Sequence, residues 1–415
     1  MYLLKIHLEN FRCYETLNMD LDPKFNVIVG VNGTGKTAVL EAIRIAIGSL
    51  FLDVDKFKDK IWSPGISSDD VRMNHLEQQY PVKIFAEADI KEIPPHSCIS
   101  WERTLDTKGG RTTMVRAKDM KYVSYELQKV IRKNDNKKPI PLIAYYSTDR
   151  FKKEKKDVGI EPSGSRLRGY YNALDPLTNV KFFLDLYFTE TMWGLQNSIS
   201  SPVIEAVNNA VKLCVEDCEE LLFDIKRNEL MIRLKSIDDQ LPFHVLSDGV
   251  RTMLAMVMEI AFRCFLLNPH LIEKAPLETP GIVLIDEIDL HLHPAWQKRV
   301  IGDLRKAFPL IQFIITTHAP LVIGSLTEGK IFSISNNNAY DFPLQFGKDA
   351  NSILNEMGTV EMDETLKTEL NQYFLLIEAG HGKEQKALTL RSILDQKLGN
   401  THTELQRADM MLDFF

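Results

Sequence analysis

The stretch "VIVGVNGTGKTAVLEAIRIAI", residues 27–47, constrains this chain more than any other. A short β-branched run leads into eight residues that fit G-x-x-x-x-G-K-[ST], and an amphipathic run follows. Strand, loop and helix in that order are the setting such a loop needs. Gly30, Gly33 and Gly35 let successive backbone N–H groups turn inward, which makes an anion-binding nest at a helix N-terminus; Asn32 lies between them. Lys36 adds a point charge for outer phosphates. The Thr37 hydroxyl suits Mg2+, a hard ion that takes oxygen ligands. The implied occupant is a nucleoside triphosphate with Mg2+, and the implied fold is α/β.

Two apolar runs extend that site. "GIVLIDE", residues 281–287, reads as a buried parallel strand that ends in two carboxylates. Beside a phosphate-binding loop, Asp286 falls in the magnesium shell, and Glu287 falls where a base takes a proton from attacking water. "IITTHAP" places His318 at the end of a second buried strand. Before a long apolar helix, "DGVRTMLAMVMEIAFRCFLL", stands "LSDGVR", residues 246–251, where Ser247 or Asp248 can serve as an ordinary N-cap.

The remaining pattern sets the organisation. "YLLKIHL", "TLNMDL", "YPVKIFAEADI", "SCISWERTL" and "GRTTMVRA" alternate like strands. A mostly helical region over residues 118–218 is interrupted by the strand-like "PLIAYYS"; in it Asp175-Pro176 starts a helix with the stripe Leu177, Val180, Leu184, Tyr187 and Phe188. Strands return in "ELLFDIK", "LMIRLKS" and "LPFHVL", and a helix is expected over residues 294–308. The tail carries helical stripes at Leu366, Leu370, Phe374, Ile377 and at Ala387, Leu390, Leu394, Leu398. The expected domains are a head over residues 1–350, with the helical insertion, and a helical region over 351–415 for assembly or partner docking.

Charge narrows the partners. A formal net charge of -7 excludes a uniformly basic coat, but residues 129–156 are locally basic, with Lys133, Lys137, Lys138, Arg150, Lys152, Lys153, Lys155 and Lys156 among Tyr145, Tyr146 and Phe151. That stretch reads as a solvated loop or a phosphate-backbone contact for DNA or another nucleic acid. Five cysteines, odd in number and scattered, suit a reducing compartment; Cys214 and Cys218 lack a second ligand pair and read as buried thiols. The first residues show no cleavage signal and no run has about 18 apolar residues, so a cytoplasmic protein with no membrane partner is expected.

"LKIHLENFRCYETLNMDL", "GVNGTGKT", "LSDGVR", "LIDEIDLHLHP" and "ITTHAP" together resemble the RecF/SMC/Rad50/OLD-like branch of ABC ATPases, and within it the short stand-alone ATPases of Septu-type anti-phage systems. The resemblance implies an ABC-type P-loop ATPase head with a mixed, largely parallel central sheet, a helical insertion and a helical C-terminal extension. It implies slow ATP hydrolysis, with Lys36, Glu287 and His318 catalytic, His318 sensing the γ-phosphate, and Thr37 and Asp286 holding Mg2+. It implies a head-to-head dimer with two ATPs, each between Gly30, Asn32, Gly33, Gly35, Lys36 and Thr37 of one copy and Ser247, Gly249 and Arg251 of the other. Arg12 resembles a family arginine near the nucleotide; Gln78 and Gln79 are candidates for the glutamine loop. Asp248, Arg251 and His293 depart from the transporter-like pattern, and His291 and His293 match a family sequence rather than a metal site. The implied role is a regulatory or sensor subunit controlling a separate HNH nuclease, with no nuclease of its own. The alternative is a RecF-like repair or recombination ATPase that binds DNA directly; a transporter ATPase is disfavoured by the "LENFR" start.

Overall fold

The computed structural model describes the chain except residues 55–60, 92–97, 134–137, 149–164, 177–179, 216, 236–238, 358–363, 399–402 and 415. Contacts divide it into two units, Met1–Ile353 and Leu354–Phe415.

The first unit is an α/β head built on a six-stranded sheet. Its order is Asn338–Phe342, Lys330–Ser335, Phe25–Val29, Ile311–Thr316, Gly281–Ile285, Leu142–Tyr146, and only the edge hairpin is antiparallel. Every residue of Phe25–Val29, Leu142–Tyr146, Gly281–Ile285 and Ile311–Thr316 is buried, as parallel strands covered on both faces must be. Register decides where the site forms. Ile285 lies opposite both Ile315 and Tyr146, and Ile315 lies opposite Val27, so the C-terminal ends of four strands share one crest. In open α/β sheets that crest is where ligands bind.

An antiparallel sheet, ordered Tyr14–Asp20, Tyr2–Phe11, Val82–Asp89, Cys98–Leu105, packs on the helix Lys36–Ile47. Trp101 Nε1 donates to the Ala46 carbonyl, 2.9 Å, where the bulky indole would otherwise bury an unpaired donor. A three-stranded sheet over residues 218–242 precedes the helix Asp248–Leu267, whose residues from Thr252 to Cys264 are all buried.

Three expected elements differ. "LPFHVL" is strand only through Pro242, and Phe243–Val245 winds into a 3-10 turn before Leu246. "GRTTMVRA" is not a strand: Thr113 N bonds the Thr104 carbonyl at 2.7 Å, but Thr112 Oγ1 turns to the Ile66 backbone and Val115–Ala117 winds into a 3-10 turn. The helix over 294–308 is split into Pro294–Gln297 and Val300–Ala307, with Arg299 at the break reaching buried Asp303. The side chains of Leu177, Val180 and Leu398 lie outside those described. Tyr187 of the same stripe is buried against Phe262.

The second unit buries Leu370, Tyr373, Ile377, Ala387, Leu394, Leu405 and Ala408 among the helices Glu364–Glu378, Gln385–Leu398 and Thr403–Phe414. Arg391 joins two of them by bonding Asp395 and Asp409.

Candidate functional site

The phosphate-loop residues stand at the crest, between the strand Phe25–Val29 and the helix Lys36–Ile47. Gly35 is the N-cap with φ 100, and a Cβ there would stand 2.5 Å from Cys13 Sγ and 2.6 Å from the Tyr14 hydroxyl. Among the described residues no side chain caps this helix, and its first turn has no acid, so its leading N–H groups are open to an anion. Lys36 folds back, donating from Nζ to the carbonyls of Gly30 at 2.9 Å and Val31 at 3.0 Å. Burial pulls its ammonium below the usual lysine range, against the opposing pull of Glu287, Asp286 and Asp289. Asn32 is exposed at the tip of the loop.

Asp286 is held at both oxygens. Thr37 Oγ1 donates to its Oδ2 at 3.0 Å, Thr316 Oγ1 donates to its Oδ1 at 2.6 Å, and its own N–H bonds the Tyr146 carbonyl at 2.8 Å. The same Thr316 hydroxyl accepts from Glu287 N at 2.7 Å, which fixes Glu287 at φ 46, an uncommon conformation for a non-glycine residue. Next along, Thr317 Oγ1 donates to Asp289 Oδ1 at 2.5 Å. His318 Nε2 lies 3.9 Å from Glu287 Oε1, and that buried nitrogen has no hydrogen-bond partner among the described residues. Thus the structure brings Gly30–Thr37, Asp286, Glu287 and His318 into one cluster. A hydroxyl and a carboxylate 3.0 Å apart are hard oxygen donors of the kind Mg2+ takes, and the orphaned His318 nitrogen points to a missing acceptor or donor; the residues fit a magnesium nucleotide.

Ser247, Gly249 and Arg251 stand apart, at the N-terminus of the helix Asp248–Leu267. Ser247 is exposed and makes no side-chain cap bond; Arg251 bonds Asp248 at 2.6 Å and the His244 carbonyl at 3.4 Å. Gly249 meets the backbone four residues past Glu287: a Cβ there would lie 2.2 Å from the His291 carbonyl oxygen. Glycine is required for that approach.

Other candidates have local roles. Arg12, at φ 49, bonds Asp70 at 2.9 Å and lies 4.0 Å from Glu41, next to the Cys13–Tyr14 pair under Gly35. Gln78 and Gln79 bond the carbonyls of Ser68 and Glu77 on a small hairpin. His293 caps the helix Pro294–Gln297 by accepting from Ala295 N. Cys214 ends a helix and Cys218 starts a strand; both are buried, and burial pushes the Cys218 thiol up to about 11. In the basic stretch, Tyr145 and Tyr146 are core residues of the sheet rather than surface aromatics; Lys137, Arg150, Phe151, Lys152, Lys153, Lys155 and Lys156 lie outside the described residues. Thr316 is the site residue that sequence reasoning passed over, although a threonine pair at the end of an apolar strand, two residues before His318, was its signal.

A parallel-sheet head with this crest defines a P-loop nucleotide-binding domain. The chain belongs to the AAA_23 family, described as an AAA domain, whose model matches residues 5–240. It is 26% identical over 448 residues to the Retron Vc95 probable ATPase of Vibrio cholerae serotype O1 biovar El Tor, covering 91% of this chain and 84% of that one. It is 23% identical to the Septu protein PtuA of Bacillus mycoides over 100% of this chain; that relative is longer, and 53% of it is spanned. A solved Smc head domain from Pyrococcus furiosus aligns at 15% identity with a TM-score of 0.49, covering 86% of this chain and 99% of that one. Among the described residues, no helix is long and apolar enough to cross a membrane.

Proposed function

We propose that this chain is an ATP-hydrolysing regulatory subunit of a bacterial anti-phage defence system. It senses nucleic acid, closes head to head around ATP, and controls a separate HNH nuclease. The observation that carries the reading is the doubly anchored Asp286 carboxylate with Glu287 beside it on one crest with Lys36. Thr37 and Asp286 are the residues that would hold Mg2+, which neutralises phosphate charge when bound. Lys36 leaves its carbonyl partners for the outer phosphates, Glu287 takes a proton from the attacking water, and His318 presents Nε2 toward the γ-phosphate. Exposed Ser247, with Gly249 and Arg251, completes the site of a second copy, an isologous arrangement. The defence role is supported by the names of the Septu and retron relatives, and the nuclease partner by the Septu resemblance. In the test, Glu287→Gln keeps ATP affinity and loses roughly 100-fold or more in turnover, while trapping an ATP-dependent dimer visible by mass measurement. Normal turnover by that variant removes Glu287 as the base; a monomer at saturating ATP removes the shared site.

A further inference from the structure

The helix Lys118–Arg132 carries a surface that the nucleotide site does not use. Its inner face, Met120, Val123, Ser124, Leu127 and Gln128, is buried. It packs on the turn Gly48–Phe51, which ends the phosphate-loop helix, and Gln128 Nε2 donates to the Asp53 carbonyl at 2.7 Å. Opposite, Lys118, Tyr122, Tyr125, Lys129 and Arg132 recur at spacings of four, three, four and three, which is one stripe along a helix. That stripe is about 21 Å long at 1.5 Å per residue.

Two features set this stripe apart from an ordinary solvated face. First, its tyrosines are large and open, 42% exposed at Tyr122 and 56% at Tyr125, and they neighbour each other on the helix. The Lys129 ammonium stands 5.9 Å from the Tyr125 ring centre and is bonded to Glu126 at 3.0 Å, a partly exposed i,i+3 pair that is weak enough for a phosphate to displace. Second, the charge is local: residues 107–133 hold eight basic and two acidic side chains in a chain whose net charge is -7. Of the eight, Lys108, Arg111, Lys118 and Lys133 form no ion pair among the described residues; Lys118 lies on the stripe, and Lys133 follows its last residue.

We propose that the stripe Lys118–Tyr122–Tyr125–Lys129–Arg132 binds single-stranded nucleic acid, its cations tracking the phosphates and its two tyrosines stacking successive bases. A duplex matches only half of this chemistry, because its paired bases offer the tyrosines no open face, whereas a single strand offers phosphates and rings together. An acidic protein segment matches the charge and leaves the rings unused. The inference rests on the sensor reading for its use, since it names the ligand class sensed, but not on the ATP site for its chemistry.

The test is fluorescence anisotropy of the full chain with a labelled oligo-dT of about 20 nucleotides and a duplex of equal length, without ATP. The wild type is expected to bind the single strand more tightly than the duplex, with affinity falling as salt rises. Replacing both tyrosines, Tyr122→Ala with Tyr125→Ala, is expected to weaken single-strand binding about tenfold or more, whereas the paired Phe variants keep it. Lys118→Glu with Lys129→Glu is expected to weaken binding and flatten its salt dependence. A loss below about fivefold in the Ala pair, an equal loss in the Phe pair, tighter binding of duplex, or no binding by the wild type each overturns the proposal. ATP turnover, measured separately on the same proteins, reports on the nucleotide site, so failure there is distinguishable from failure here.

Discussion

Thr316→Val is the substitution that tests the crest most directly. The Thr316 side chain is fully buried, in a strand with neighbours on both sides, and valine keeps its β-branched shape there, so the backbone has no reason to move. What disappears is one hydroxyl with two partners: the Asp286 carboxylate at 2.6 Å and Glu287 N at 2.7 Å. Losing a hydrogen bond to a charged group and stranding a buried donor each cost about 1–3 kcal/mol. Part of that cost is a loss of global stability, and the rest is released by local rotation of Asp286 and relaxation of Glu287 away from φ 46. If about 1.4–2.8 kcal/mol is taken from the transition state, turnover drops roughly 10- to 100-fold. Nucleotide affinity should change less, because the loop amides and Lys36 do not touch Thr316. The assay is steady-state hydrolysis beside equilibrium binding of a fluorescent ATP analogue, with Thr316→Ser as the variant that restores the hydroxyl. Turnover of Thr316→Val within about threefold of wild type would refute the idea that this hydroxyl positions the two carboxylates.

Three further outcomes follow from other parts of the head. Gly249→Ala forces a methyl group to within 2.2 Å of the His291 carbonyl and should lower thermal stability by about 1–3 kcal/mol while weakening any ATP-dependent dimer; an unchanged melting curve and dimer would refute a need for glycine at this contact. Arg263→Met, made at the buried ion pair with Glu259 at 2.7 Å, strands a carboxylate and removes bonds to the Gly169 and Tyr171 carbonyls, for an expected loss of about 3–5 kcal/mol read by denaturant unfolding. The Cys98 thiol, hydrogen-bonded to Glu87 at 3.0 Å, is pushed up to about 11 chiefly by that bond. Its reactive thiolate therefore forms only at high pH, and Glu87→Gln should raise its alkylation rate at pH 8 by about tenfold, as followed by peptide mass spectrometry.

What was legible in the sequence was whatever lies in one contiguous run. "GVNGTGKT" carries its glycines, its lysine and its hydroxyl together, and a β-branched run ending in Asp286-Glu287 marks a buried strand and its exit at once. What was hidden depended on register and sharing. Nothing local says that Ile285, Ile315 and Tyr146 come level, and so nothing local says that one threonine on Ile311–Thr316 will serve two carboxyl-bearing residues on its neighbour. Tyr145 and Tyr146 misled for a related reason. Basic residues on both sides give their segment a surface composition, yet the five apolar residues of "LIAYY" fill the sheet edge beside Gly281–Ile285, and burial of two rings outweighs their neighbours' charge.

The two clusters of candidate residues are nonetheless mechanically joined, and the joints are specific. At one end, Gly249 sits against the His291 backbone, in the loop that begins with Asp286 and Glu287. Three turns further along the same helix, Glu259 and Arg263 are buried beside Tyr146, whose carbonyl accepts the Asp286 N–H. A force on exposed Ser247 therefore has two routes to the carboxylates, one through loop backbone and one through the sheet. Because both are close-packed, a shift of the helix as a rigid rod must move either His291 or Tyr146. A contact made by a second copy at Ser247 would thus be felt at Asp286 without touching it, which is the property a subunit needs if assembly is to govern hydrolysis.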